Sequence, residues 1–264
     1  MNLNNPVFST VTRVNIAGQE GYGTGFFYNH NDNTYLVTNK HVVSGEDVNE
    51  VRIFFRKHGD LLNLEWADIP LDGGVGEDWY EHPANQKLDF DIDVAVIPIN
   101  RTLSPFTEYI NTTEETRSIE TGSTAFTPDL IMSGDDLLAG GDTAMIIGYP
   151  AEFVDTNTYF PILRNGRIAS PLGMPFQGKP LFITDAMMYE GTSGSPVVAG
   201  PETLKNPATG GLRTSGQGFA LLGIHSETYK RPSQTGGERL NLNAAWYADN
   251  INQIISLNGL ISKE

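Results

Sequence analysis

The chain predicts an all-β protein, and two observations carry that prediction. Its 264 residues include 28 glycines and 15 prolines, and the apolar residues between these breakers fall in short β-branched runs. With 39% hydrophobic residues, the chain can bury a sizeable core in one or two domains. In the N-terminal half the candidate strands are 8–16, 23–28, 34–39, 51–55, 65–69 and 94–97. A loop at 71–78 carries Asp72, Glu77 and Asp78; these lack the regular ligand spacing of a calcium loop and read as solvated. A long connection follows at 103–140. The second set of strands is 142–148, 160–163, 166–170, 181–184, 197–199, 219–225 and 240–243, with a Gly/Thr/Pro-rich hairpin tip at 201–218. The segment 244–257 has apolar residues at Trp246, Tyr247, Ile251, Ile254 and Ile255, the spacing of one helical face docked on the rest. No internal repeat is visible.

Composition excludes some classes of function. The net charge of −15 argues against nucleic acid, which needs clustered Lys and Arg. No apolar stretch reaches membrane-spanning length. Residues 1–6 contain neither a basic nor an apolar signal region, so the simplest expectation is a cytoplasmic protein; secretion stays open for a chain trimmed of a leader. The absence of cysteine fits that compartment without requiring it.

The most informative stretch is Gly191-Thr192-Ser193-Gly194-Ser195-Pro196. A glycine two residues before a serine permits a tight turn that sets its own N–H beside that of the serine, a pair able to hold an oxyanion. Alone, such a hexamer is only a loop. Upstream, however, the run 35–43 ends in His41, and 89–98 contains Asp93 just before Val94-Ala95-Val96-Ile97. Histidine, aspartate and serine together can activate a hydroxyl. The imidazole takes the serine proton, and the carboxylate orients the imidazole.

These segments resemble the chymotrypsin-like (trypsin-fold) serine proteases, in the branch with HtrA-type proteases and staphylococcal-type glutamyl endopeptidases. Gly23-Thr24-Gly25-Phe26-Phe27, Ile147-Gly148-Tyr149-Pro150, Gly166-Arg167-Ile168-Ala169-Ser170 and Gly223-Ile224-His225-Ser226 add to the match, which spans nearly the whole chain. The resemblance implies two antiparallel Greek-key β-barrels, the active site in the cleft between them, and a C-terminal α-helix. The corresponding division is 1–102 for the first barrel with His41 and Asp93, 103–140 for the connection, 141–243 for the second barrel with Ser193, and 244–264 for the helix and tail. It implies a serine endopeptidase working through an acyl-enzyme. His41 would be the base, Asp93 the orienting acid, Ser193 the nucleophile, and the N–H groups of Gly191 and Ser193 the oxyanion hole. No metal or organic cofactor is implied. The partner is a protein or peptide substrate, with any regulatory partner unknown.

Each assignment has a competitor. Asp91 lies two residues from Asp93 and on the same side of an extended strand; the family pattern favours Asp93, leaving Asp91 and Asp89 as solvated residues. Ser195 competes with Ser193, but would place a serine instead of a glycine two positions before it. For specificity, Ser226 should pair with the substrate backbone by strand addition. His225 resembles the histidine that hydrogen-bonds a substrate carboxylate in glutamyl endopeptidases. Here the glycines that follow in those enzymes are replaced by Glu227-Thr228. Met187 and Met188 are expected on the opposite pocket wall, with Thr228 near His225. A preference for an acidic or Gln-like residue before the cleaved bond competes with a small apolar one. Thr192 stands where many digestive relatives carry an aspartate that accepts a new N-terminal ammonium, so no activating cleavage is expected. The alternative from a different class is a silent or gated protease-fold module that captures extended peptides.

Overall fold

A computed structural model describes residues 6–31, 33–45, 48–57, 60–71, 79–99, 123–132, 138–151, 153–200, 219–231 and 237–260. The first half forms strands β1 (Val11–Ile16), β2 (Tyr22–His30), β3 (Asn33–Thr38), β4 (Glu50–Lys57), β5 (Asp60–Pro70), β6 (Tyr80–Glu81) and β7 (Ala95–Pro98). They pair antiparallel as one seven-stranded sheet in the order β5-β4-β1-β2-β3-β7-β6. Val14, Leu36, Ile53, Ile69 and Ile97 come from five of these strands and share one buried cluster, so the sheet wraps around its own core.

The second half forms β8 (Thr143–Gly148), β9 (Ile162–Ile168), β10 (Leu181–Asp185), β11 (Pro196–Ala199), β12 (Ala220–Arg231) and β13 (Glu238–Tyr247). These close into a six-stranded antiparallel barrel, β10-β13-β12-β11-β8-β9. Its interior is filled by Ala144, Ile146, Phe182, Val197, Leu222 and Ala245. A third cluster joins the halves, with Phe26, Tyr28 and Val96 meeting Ile147, Val198 and Ile224. The predicted all-β, two-unit architecture with a C-terminal helix is the one observed. Among the described residues no helix is long and apolar enough to cross a membrane.

Three expectations change. The helix at the C-terminus is α2 (Asp249–Leu257), not 244–257, because β13 continues through Tyr247. Trp246 faces the joining cluster and Ala245 the barrel interior, so both faces of that run are covered. A doubly buried strand has no polar face to betray its period. Strands 160–163 and 166–170 are one strand, β9. Gly166 interrupts nothing; a Cβ there would press on Ala186 and the Asp185 carbonyl of β10. The strand expected over 8–16 begins at Val11, after a short helical turn, Pro6–Ser9. The loop at 72–78, most of the connection at 103–140 and the hairpin tip at 201–218 lie outside the described residues.

Helix α2 follows the barrel in sequence but docks on the first sheet. Ile251, Ile254 and Ile255 are buried with Tyr28 and Tyr35, and the Tyr28 hydroxyl donates to Asn252 Oδ1 at 2.7 Å. The described part of the connection also stitches the halves. The Phe126 backbone bonds to Phe27 and Asn29 of β2, while Ile131 bridges Leu221 of β12.

Candidate active site

The cleft between the two units is built from strand ends. Leaving β3, the chain forms the single turn α1 (Lys40–Val43), which sets His41 at the cleft surface with a half-exposed ring. Just before β7, Asp93 is turned under it. Its Oδ2 lies 2.7 Å from His41 Nδ1, and its Oδ1 accepts the His41 backbone N–H at 2.9 Å. The Ser226 hydroxyl donates to Asp93 Oδ2 at 2.6 Å. The Asn39 side chain donates to the Asp93 carbonyl at 2.7 Å, so the loop carrying the acid is held to the loop carrying the histidine. Asp91, the competitor, accepts from Lys40 at 2.8 Å instead; Asp89 is exposed.

Burial pulls the His41 pKa down. The hydrogen bond and charge of Asp93, with the charge of Glu227, outweigh it, and the net shift is upward. The second histidine behaves oppositely. His225 is buried, and desolvation, with a smaller contribution from the charge of His41, lowers its pKa to about 4.

The serine turn comes from the second barrel but is fastened to the first. The Thr24 N–H donates to the Ser193 carbonyl at 2.8 Å, and the Thr24 hydroxyl to the Gly191 carbonyl at 2.8 Å. Gly191 (φ +84°) and Gly194 (φ +88°) take left-handed conformations that disfavour any side chain. A Cβ on Gly191 would run into the Tyr22 ring and the Tyr149 carbonyl. The Glu190 carbonyl accepts from Ala151 N–H at 2.7 Å. In a planar trans peptide the following N–H points the opposite way. The N–H groups of Gly191 and Ser193 find no acceptor among the described residues. Ser193 lines the cleft and donates its hydroxyl to the Ser226 carbonyl at 3.1 Å, not to His41. Ser195 is fully buried; its Oγ has no partner and sits against Gly148.

His41, Asp93, Ser193, Met188, His225, Ser226 and Thr228 all line one cavity of about 790 Å³. Met187 does not; it is half-exposed, with the Tyr189 hydroxyl against its sulfur. The Nδ1 of His225 and the Nε1 of Trp246, another lining residue, are buried without partners. Thr228 donates to Asn243 Oδ1 at 2.7 Å, and Asn243 in turn holds the Ala186 carbonyl at 2.8 Å. Sequence reading assigned no role to Lys179, Lys230 and Arg239, which also line the cavity. The Arg239 guanidinium donates to the Met188 carbonyl at 3.0 Å, bracing the pocket wall from β13. Nothing local marks these residues, since a hairpin and a distant turn bring them in. Among the described residues no group of three or more His, Asp or Glu could hold a metal ion.

No curated protein sequence matches the chain. Solved structures do match in fold. One is Deg5, at TM-score 0.52 and 15% identity, covering 94% of this chain and 88% of that one. Another is the protease domain of MamO from Magnetospirillum magneticum, at 0.51 and 16%, covering 95% and 97%. A third is an HtrA-type protease solved with a tripeptide, at 0.50 and 16%, covering 96% and 60%. The model of the trypsin-like peptidase domain matches residues 23–202, from the glycine strand before His41 to just past the serine turn. With well over half of its length in that match, this chain belongs to the trypsin-like peptidase family of serine-type endopeptidases.

Proposed function

We propose that the cleft hydrolyses peptide bonds through a Ser193 acyl-enzyme. His41 Nε2 takes the hydroxyl proton as Ser193 Oγ attacks the scissile carbonyl carbon. The resulting oxyanion is held by the N–H groups of Gly191 and Ser193, and the C–N bond breaks as His41 returns the proton to the leaving amine. Water, deprotonated by the same imidazole, then releases the acid. Asp93 keeps the proton of neutral His41 on Nδ1, which leaves Nε2 free to accept. The observation that carries this reading is the bracing of His41 by Asp93 at 2.7 Å on the wall opposite the serine turn.

The finer part of the proposal is a preference for an acidic or Gln-like residue before the cleaved bond. The buried, unpartnered Nδ1 of His225 supports it. Such a nitrogen is costly to leave unsatisfied and favours a side chain that supplies its missing partner. A pKa near 4 leaves this imidazole neutral at ordinary pH, with one N–H to give.

The gated or silent peptide-binding reading is favoured by one contact. The Ser193 hydroxyl occupies the Ser226 carbonyl, an acceptor that an added substrate strand would use. Intact mass after fluorophosphonate treatment separates the two. A single adduct on wild type and Ser195→Ala, absent from Ser193→Ala, is the expected result. No adduct on wild type would overturn the hydrolytic reading and leave the gated one.

A further inference from the structure

The cleft carries a charge that the reaction itself does not use. Lys179 lines the cavity and leaves a tight turn in which its N–H and C=O both bond to Phe176. Its side chain reaches from the second half to the loop before β7, where Nζ lies 5.4 Å from the centre of the Phe90 ring. Phe90 is three residues before Asp93. Among the described residues Lys179 makes no ion pair, whereas Lys40 on the same cavity is neutralised by Glu81 and Asp91 at 2.6 and 2.8 Å. An ammonium beside a ring on the cavity wall, with no carboxylate of its own among the described residues, favours an anion that arrives with the substrate.

The position it reads follows from strand addition, and so rests on the proposed peptidase reading. The Ser226 carbonyl, 3.1 Å from Ser193 Oγ, marks where the residue before the scissile bond must lie. An antiparallel strand added there runs along β12 toward Thr228 and Lys230, with side chains alternating between faces. The second and fourth residues before the bond face the first sheet. The second meets His41, where Asp93 and Glu227 already supply negative charge. The fourth lies about 7 Å further along, in the cavity that Lys179 also lines. We propose that Lys179 selects an acidic side chain at the fourth residue before the scissile bond.

Peptide binding to the Ser193→Ala protein tests this without turnover. Labelled hexapeptides, randomised elsewhere, carry Glu, Gln or Lys at the fourth position. The expected order is Glu, then Gln, then Lys, with about threefold per step at low salt, as for an exposed charge pair, shrinking as salt is raised. Lys179→Glu on the same background should reverse Glu and Lys, and Lys179→Arg should restore the original order. Equal affinities, no binding of any peptide, or an order unchanged by Lys179→Glu would overturn the inference. Fluorophosphonate labelling of the wild type is independent of Lys179. An intact adduct alongside a failed selectivity test therefore removes this inference alone, while a missing adduct removes the hydrolytic reading.

Discussion

On the wall formed by the first sheet, His41 stands half-exposed with Asp93 beneath it; on the wall formed by the second barrel, His225 is enclosed with its Nδ1 facing no partner. The same side chain is thus pushed toward the charged form in one place and toward the neutral form in the other. Burial acts downward on both. The outcome differs because a carboxylate is in hydrogen-bond contact with one ring, while the other has only protein walls and a neighbouring histidine. A histidine meant to exchange a proton needs the first environment. One meant to shape a pocket tolerates the second.

The largest test of this contrast removes the carboxylate. Asp93→Asn should lower kcat/KM by about 10⁴-fold, by favouring the wrong His41 tautomer. A loss below tenfold in peptide turnover would mean that the 2.7 Å contact is structural only. Gly191→Ala comes next. Its Cβ has no room beside Tyr22 and Tyr149, so the turn must shift and misplace one N–H donor; a fall in kcat of roughly 10²–10³-fold is expected, with retained binding of a substrate-like peptide as the control.

His225 sharpens the comparison through stability. Its unfolded-state pKa is the ordinary 6.5 and its folded-state value is about 4. Between those values the unfolded chain binds a proton that the folded chain does not, so stability falls as pH drops from 6.5 toward 4 and levels off below. The full contribution is about 3 kcal/mol. Urea unfolding of His225→Gln against wild type should lose that much of the pH dependence across this window. Parallel curves would show that the residue titrates normally.

The smallest effect belongs to Glu227. Because His41 must be neutral to accept a proton, the acidic limb of kcat/KM should lie above pH 6.5. Glu227→Gln removes one of the charges that raise it, and the limb should move down, less at high salt. A limb that moves up, or stays fixed at low salt, would take Glu227 out of the electrostatics of the base.

Much of the cleft was legible because its residues sit in local motifs. A serine between glycines, a histidine at a strand end and an aspartate before a β-branched run each demand a particular turn. The competing choices rested on the family pattern and the glycine spacing; the contacts that separate them come only with the fold. Asp91 and Asp93 differ in which cation or imidazole they meet, Lys40 or His41, and that depends on how two loops cross. Ser195 differs from Ser193 by pointing inward at Gly148, a residue more than forty positions away in the chain. Met187 was expected in the pocket and lies outside it, since alternation placed Met188 on the inner side.

The amino-acid order alone determined the β-class, through short β-branched runs cut by glycine and proline, and the chemical vocabulary of the site. Those are properties of a few consecutive residues. Only the tertiary structure decided that β13 continues to Tyr247, that α2 returns to pack on Tyr28 and Tyr35 of the first sheet, and that Arg239 and Lys179 reach the cleft. These depend on which surfaces are buried against which, and contacts between residues far apart in the chain leave no period or spacing to read along it.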